Sequence, residues 1–177
     1  MLLLKEVPQY ECLLERSRRY PELDPSAMEA FLHLLRTSTD VFEAFGEVLA
    51  SHAISQGRFI VLILLNRDPE KPANPADLAD RANVARATMT GLIDTLERDG
   101  FVKREHAPDD RRMMLVRLTA EGRSFLERIR PEYFRRIATV MSRLTEAERK
   151  TLVTLMGKIE QAVPEIFAGS PPKTAET

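Results

Sequence analysis

The stretch PADLADRANVARATMTGLIDTLERDG, residues 75–100, decides how the rest of the chain is read. Asn74, just ahead of it, suits a helix cap, Pro75 the first helical position and Asp77 the first turn. ANV at 82–84 ends that helix, because Asn83 tolerates left-handed backbone better than most residues. A second helix runs from about Arg86 to Asp99 and is stopped by Gly100 with Phe101 behind it. Leu78, Ala79, Val84, Met89 and Leu92 are the small or apolar positions that lock the two together across a tight turn, which is helix-turn-helix spacing.

The second helix buries Met89, Leu92, Ile93 and Leu96, so its opposite face carries Ala87, Gly91, Asp94 and Arg98, flanked by Thr88, Thr90 and Thr95. The first two turns of that face offer Arg86, Ala87, Thr88, Thr90 and Gly91. Ala87 and Gly91 permit close approach to base edges, and an alanine methyl can meet a thymine methyl. Thr88 and Thr90 can bond to phosphate or base, and a helix N-terminus favours phosphate. Asp94 repels DNA, so only the N-terminal half is expected to enter a groove. A water-facing helix pair would show the same spacing, and the residues just beyond Gly100 separate the two readings.

Those residues form a hairpin pattern. FVKRE at 101–105 reads as one strand, HAPDDRR as the loop, and MLVRL at 114–118 as a second strand. In the latter Met114, Val116 and Leu118 share one face, and Leu115 and Arg117 the other. A hairpin directly after a helix-turn-helix is a wing, and Arg111 and Arg112 lie where a wing tip reaches the minor groove, whose negative potential attracts arginine. Asp110 is expected to hold the Arg112 guanidinium by a bidentate pair. Asn74, Lys103, Arg104 and Arg117 are candidate phosphate contacts.

Outward from this core, SAME at 26–29 matches a capping box, with Ser26 at the cap and Glu29 three residues on. Behind it Met28, Phe31, Leu32, Leu35, Phe42, Phe45 and Leu49 recur at helical spacing, predicting a long amphipathic helix over 26–52. FIVLILL at 59–65 fits a buried strand or a helix capped by Ser55 equally well. Thr119 can cap another long helix, within which Pro131 should produce a kink or local break. Thr145 and Glu148 form a second capping box. AGSPPKTAET at 168–177 has no apolar pattern and is expected to be disordered. Terminal helices this long and apolar on one side need a covering surface, and a second copy of the chain is the simplest one.

With 44% apolar and 30% charged residues the chain can bury a proper core. The balance of 26 basic and 27 acidic residues names no partner, so a nucleic-acid binder must concentrate its positive charge locally. A single cysteine excludes an internal disulfide framework and fits a reducing compartment. MLLLK is too short for a signal-peptide core and FIVLILL too short to span a bilayer, so a soluble cytoplasmic protein is expected, with no membrane partner.

Residues 78–123, LADRANVARATMTGLIDTLERDGFVKREHAPDDRRMMLVRLTAEGR, resemble the DNA-binding lobe of the MarR family of bacterial transcriptional regulators. The resemblance extends over about 25–165, and its most specific part is DRR followed by LVRLTAEG. It implies a mainly α fold with a small β-hairpin wing, the winged helix-turn-helix lobe (about 55–118) flanked by dimerisation helices at 26–52 and 119–167. Residues 1–24 then form an extension with a short helix. The resemblance also implies that 59–65 is a buried helix and that the protein is a homodimer on pseudo-palindromic operators. Many members release DNA when a small, often phenolic, ligand binds between the dimerisation helices and the winged lobe. Residue by residue, it places Arg86, Ala87, Thr88 and Thr90 at the groove-facing start of the recognition helix and Asp110 and Arg112 in the wing motif. The sequence departs from the family in having Ala85 where serine or threonine is usual before that helix, and Asn83 in place of the turn glycine.

The function expected is a ligand-responsive repressor and not an enzyme, with no cofactor: there is no glycine-rich phosphate loop, metal-binding histidine pair or nucleophile elbow. His33, His52 and His106 make no ligand spacing, so no metal site is expected. His33 and Arg36 are candidates for an effector pocket, although a partly buried helix histidine explains His33 as well. Cys12 reads as structural or incidental. The competing readings are a winged helix that binds protein, which would not need Arg111 and Arg112, and a redox-responsive regulator using Cys12.

Overall fold

The computed structural model describes residues 6–107, 110 and 112–168. The expectations for Arg111 and for the tail beyond residue 168 lie outside these. Helices α1 (Tyr10–Ser17), α2 (Pro25–Ala50), α3 (Gln56–Leu65), α4 (Pro75–Ala82) and α5 (Arg86–Arg98) lead into the antiparallel strands β1 (Val102–His106) and β2 (Met114–Leu118). Helices α6 (Ala120–Met141), α7 (Glu146–Ala162) and α8 (Glu165–Ala168) complete the order. The chain divides into two compact units between Ile129 and Arg130.

The core of the first unit is the winged helix-turn-helix. Helix α3 is apolar on nearly every side, with Phe59, Val61, Leu62, Leu64 and Leu65 buried. A helix buried all round loses its 3.6-residue pattern, which is why periodicity alone cannot separate it from a strand. Ser55 caps it, accepting the Arg58 N–H. Leu78 and Ala79 of α4, Met89, Ile93 and Leu96 of α5, Val102 and the β2 residues Val116 and Leu118 close around α3. Gly57 lets α5 approach, since a Cβ there would meet Leu92 Cδ2 at 3.1 Å.

Helix ends follow local chemistry, with one correction. The cap of α2 is Asp24, not Ser26: its carboxylate accepts the N–H groups of Ser26 and Ala27, and Pro25 occupies the first helical position. Proline is pre-organised there and disfavours helical backbone in the residue before it, so the boundary falls earlier than a Ser26 cap requires. The Thr145–Glu148 capping box forms as expected. Helix α6 continues through Pro131 without a break.

Asn83 adopts the left-handed conformation (φ 52°, ψ 48°) that the α4–α5 turn demands, and Val84 N–H returns to the Ala79 carbonyl at 3.0 Å. Ala85 has cap-like extended backbone (φ −62°, ψ 146°) but supplies no side-chain bond to α5. Ala85→Ser should therefore stabilise the protein by about 0.5–2 kcal/mol, read as a rise in the denaturation midpoint with unchanged slope. No gain would mean that the first α5 amides are already satisfied.

In the second unit, the Arg149 guanidinium donates to the carbonyls of Met141 and Leu144, closing the α6–α7 corner. Helix α7 buries no residue, leaving Val153 72% exposed along with Leu155, Met156, Ile159 and Val163.

Candidate nucleic-acid interface

Burial of Met89, Ile93 and Leu96 fixes the rotation of α5 and turns Arg86, Ala87, Thr88, Thr90 and Gly91 outward, all exposed. The first turn carries no acidic residue, so its unpaired N–H groups keep their affinity for anions. Among the described residues no carboxylate pairs with Arg86. The Thr90 hydroxyl donates to the Arg86 carbonyl at 3.0 Å. With its hydrogen so engaged it can still accept, which suits a base amino group better than a phosphate oxygen.

The hairpin aligns Val102 with Leu118 and His106 with Met114. Val116 and Leu118 point into the core, while the other β2 residues are half-buried. At the tip, Ala107 N–H donates to the Met113 carbonyl and Met113 N–H to the Asp110 carbonyl, both at 2.9 Å. Asp110 does not hold the Arg112 guanidinium as expected. Its Oδ1 accepts the Arg112 backbone N–H at 2.9 Å instead, because a carboxylate two residues upstream reaches the main chain first. The Arg112 side chain is exposed, and among the described residues no ion pair engages it.

Of the four candidate phosphate contacts, three are engaged within the protein. Asn74 caps α4, its side-chain oxygen accepting Ala76 N–H at 2.8 Å. Arg117 Nε donates to Glu105 at 3.0 Å and its Nη1 to the Glu70 carbonyl. Arg104 pairs with Asp94 and Glu97. Burial would lower the Arg104 pKa, but its bonds to Asp94 and Glu97 outweigh that and hold it above the usual arginine range. Asp94 therefore does not face DNA as a bare charge. Of the four, Lys103 alone stays available, with a long 3.7 Å contact to Glu105 of the kind that contributes little at a surface.

Sequence reasoning missed Arg58. Its guanidinium donates to Asp99 at the end of α5 (2.6 Å) and to the carbonyl of Ala53 (2.7 Å), which has left-handed backbone at φ 58°. No local pattern announces a pair 41 residues apart. His33 is exposed rather than partly buried, and Arg36 pairs with Asp40 at 2.9 Å. The described cavities lie elsewhere: one of about 270 Å³ between the end of α3 and the start of α4, the others beside Arg16 and Tyr20 and beside Arg135. Cys12 is exposed on α1. No described helix is long and apolar enough to cross a membrane.

A model of the MarR family matches residues 54–114, which span α3, the helix-turn-helix and most of the wing. The chain is also 35% identical over 156 residues to the HTH-type transcriptional repressor YetL of Bacillus subtilis, covering 88% of this chain and 93% of that repressor. This chain belongs to the MarR family. Members of the MarR family are DNA-binding transcription regulators, not enzymes. Among solved structures, the transcriptional repressor CouR bound to a 23-mer DNA duplex is 28% identical with a TM-score of 0.65, over 73% of this chain and 90% of that one. BpsR of Bordetella bronchiseptica, whose DNA binding is regulated by 6-hydroxynicotinic acid, is 28% identical with a TM-score of 0.62, over 72% and 96%.

Proposed function

We propose that the protein is a homodimeric repressor that binds an inverted-repeat operator and is released by a small-molecule effector. The observation that carries the DNA reading is the pairing of two exposed features on one lobe. One is a recognition-helix face of small and hydrogen-bonding residues from Arg86 to Gly91. The other is a wing arginine, Arg112, whose side chain has no ion-pair partner among the described residues. The first enters the major groove and the second the minor groove. Two copies are argued from α7, which leaves Val153, Leu155, Met156 and Ile159 exposed in one chain, an exposure that a monomer rarely tolerates. The dimer would hold its recognition helices about 34–36 Å apart, one DNA turn.

The effector is argued from BpsR, whose DNA binding responds to an aromatic acid. If His33 and Arg36 contact it, an anionic group must take the place of Asp40 at Arg36. Such a ligand acts only through a difference in affinity between the DNA-fitting state and another.

Selection of bound duplexes from a random library tests the reading. It should return an inverted repeat with half-sites one helical turn apart. Sequence-blind, salt-sensitive binding would move a protein-binding role to the front. On the selected operator, Arg112→Ala should weaken binding about tenfold and reduce the slope of log affinity against log salt by about one. An unchanged slope would remove Arg112 from the interface, and its solvent position means the fold should not suffer.

A further inference from the structure

One residue of the wing bonds to the recognition helix through both its side chain and its main chain. Arg104 of β1 directs its guanidinium at two carboxylates one turn apart on α5, Nη2 donating to Asp94 Oδ1 at 2.5 Å and Nη1 to Glu97 Oε2. Its backbone N–H donates to the other Glu97 oxygen at 2.9 Å. That amide is turned away from the hairpin. Arg104 lies opposite Val116, which makes both its main-chain bonds to Ala73 on the far side of β2, at 2.8 Å each. In an antiparallel ladder such facing residues do not bond to each other. One arginine thus ties β1 to α5 at three points, side chain and main chain together.

We propose that Arg104 is a positioning residue for DNA binding. By straddling Asp94 and Glu97 it fixes the wing's angle to α5, so that Arg112 meets the duplex when the Arg86–Gly91 face is seated. The guanidinium is suited to this because its planar fork takes two carboxylates in fixed directions, whereas an ammonium is a point charge. The lever is long: a strand of this length spans about 17 Å, so a pivot of about 15° would carry its tip roughly 4 Å. That exceeds what a hydrogen bond tolerates. The inference rests on the DNA-binding reading above.

The test is a double-mutant cycle on the selected operator, using the full chain with Arg104→Met, Arg112→Ala and both together. The two side chains make no contact in this structure, so a local effect of each should simply add. If Arg104 acts through the wing, each single change costs about tenfold and the pair little more than either alone. Additive losses, about a hundredfold for the pair, would overturn the proposal while leaving DNA binding intact. Restoration of binding by Asp94→Asn in the Arg104→Met background would also overturn it, by reducing Arg104 to a counter-charge. Should Arg104→Met fail to fold, Arg104→Lys keeps the charge and removes the fork. The same cycle with that variant then decides between non-additive losses, which support the proposal, and additive ones, which overturn it. A wild type without sequence-specific binding would overturn the DNA reading itself, and this inference with it.

Discussion

Gly122→Ala should destabilise the protein by about 3 kcal/mol or more, among the larger effects of a single added methyl. A Cβ built on Gly122 falls 2.2 Å from the Phe101 carbonyl oxygen and 2.8 Å from Leu118 Cδ1. The oxygen is held in place, because it accepts the Thr119 N–H at 3.0 Å while the Thr119 hydroxyl donates to the adjacent Gly100 carbonyl at 2.7 Å. Thr119 in turn accepts the Gly122 N–H at 3.0 Å as the cap of α6. The clash therefore breaks the joint at which α5, the base of the wing and α6 come together, where the Phe101 and Phe125 rings lie 4.5 Å apart. For a chain of this size the melting temperature should fall by roughly 10 °C at fixed protein concentration. A shift of a degree or two would show that the corner relaxes more cheaply than its hydrogen bonds allow.

Gly91→Leu should have the opposite signature. Nothing lies within 4 Å of a Cβ at Gly91, and replacing a mid-helix glycine removes a penalty of about 0.8–1.0 kcal/mol. The variant should be as stable as the wild type or slightly more so. Yet the added side chain projects from the face proposed to enter the major groove, and specific affinity should drop by about a hundredfold or more, toward the sequence-independent level. Melting and operator titration on one preparation separate the two effects. Unimpaired operator binding would put the second turn of α5 outside the groove.

The contrast between these glycines shows what the sequence can and cannot disclose. Gly91 is legible: its exposure follows from the 3.6-residue period once Met89 and Ile93 are assigned to the core. Gly122 is not, because its constraint comes from a carbonyl far upstream that only the folded corner brings near. The same division runs through the fold. Asn74, Asn83, Gly100 and the Thr145–Glu148 box act on their immediate chain neighbours and can be read directly. Pro25 also marks the start of α2, but the SAME pattern beginning one residue later competes with it and draws the boundary to Ser26. For the site, the outward face of α5 is legible, whereas the engagement of Arg104 and Arg117 is not. Their partners include Glu97, Asp94 and the Glu70 carbonyl, up to 47 residues away. A basic residue on a strand looks the same in sequence whether it faces phosphate or closes an internal ion pair.

The bonds at Arg104 and Val116 also bear on how the chain behaves at high concentration. A two-stranded hairpin ordinarily presents two open edges, each able to recruit a strand from another molecule. Here the outer edge of β2 is taken at Val116 by Ala73, and the outer edge of β1 is blocked at Arg104 by Glu97. Strand-to-strand aggregation through this hairpin is closed off at its middle on both sides.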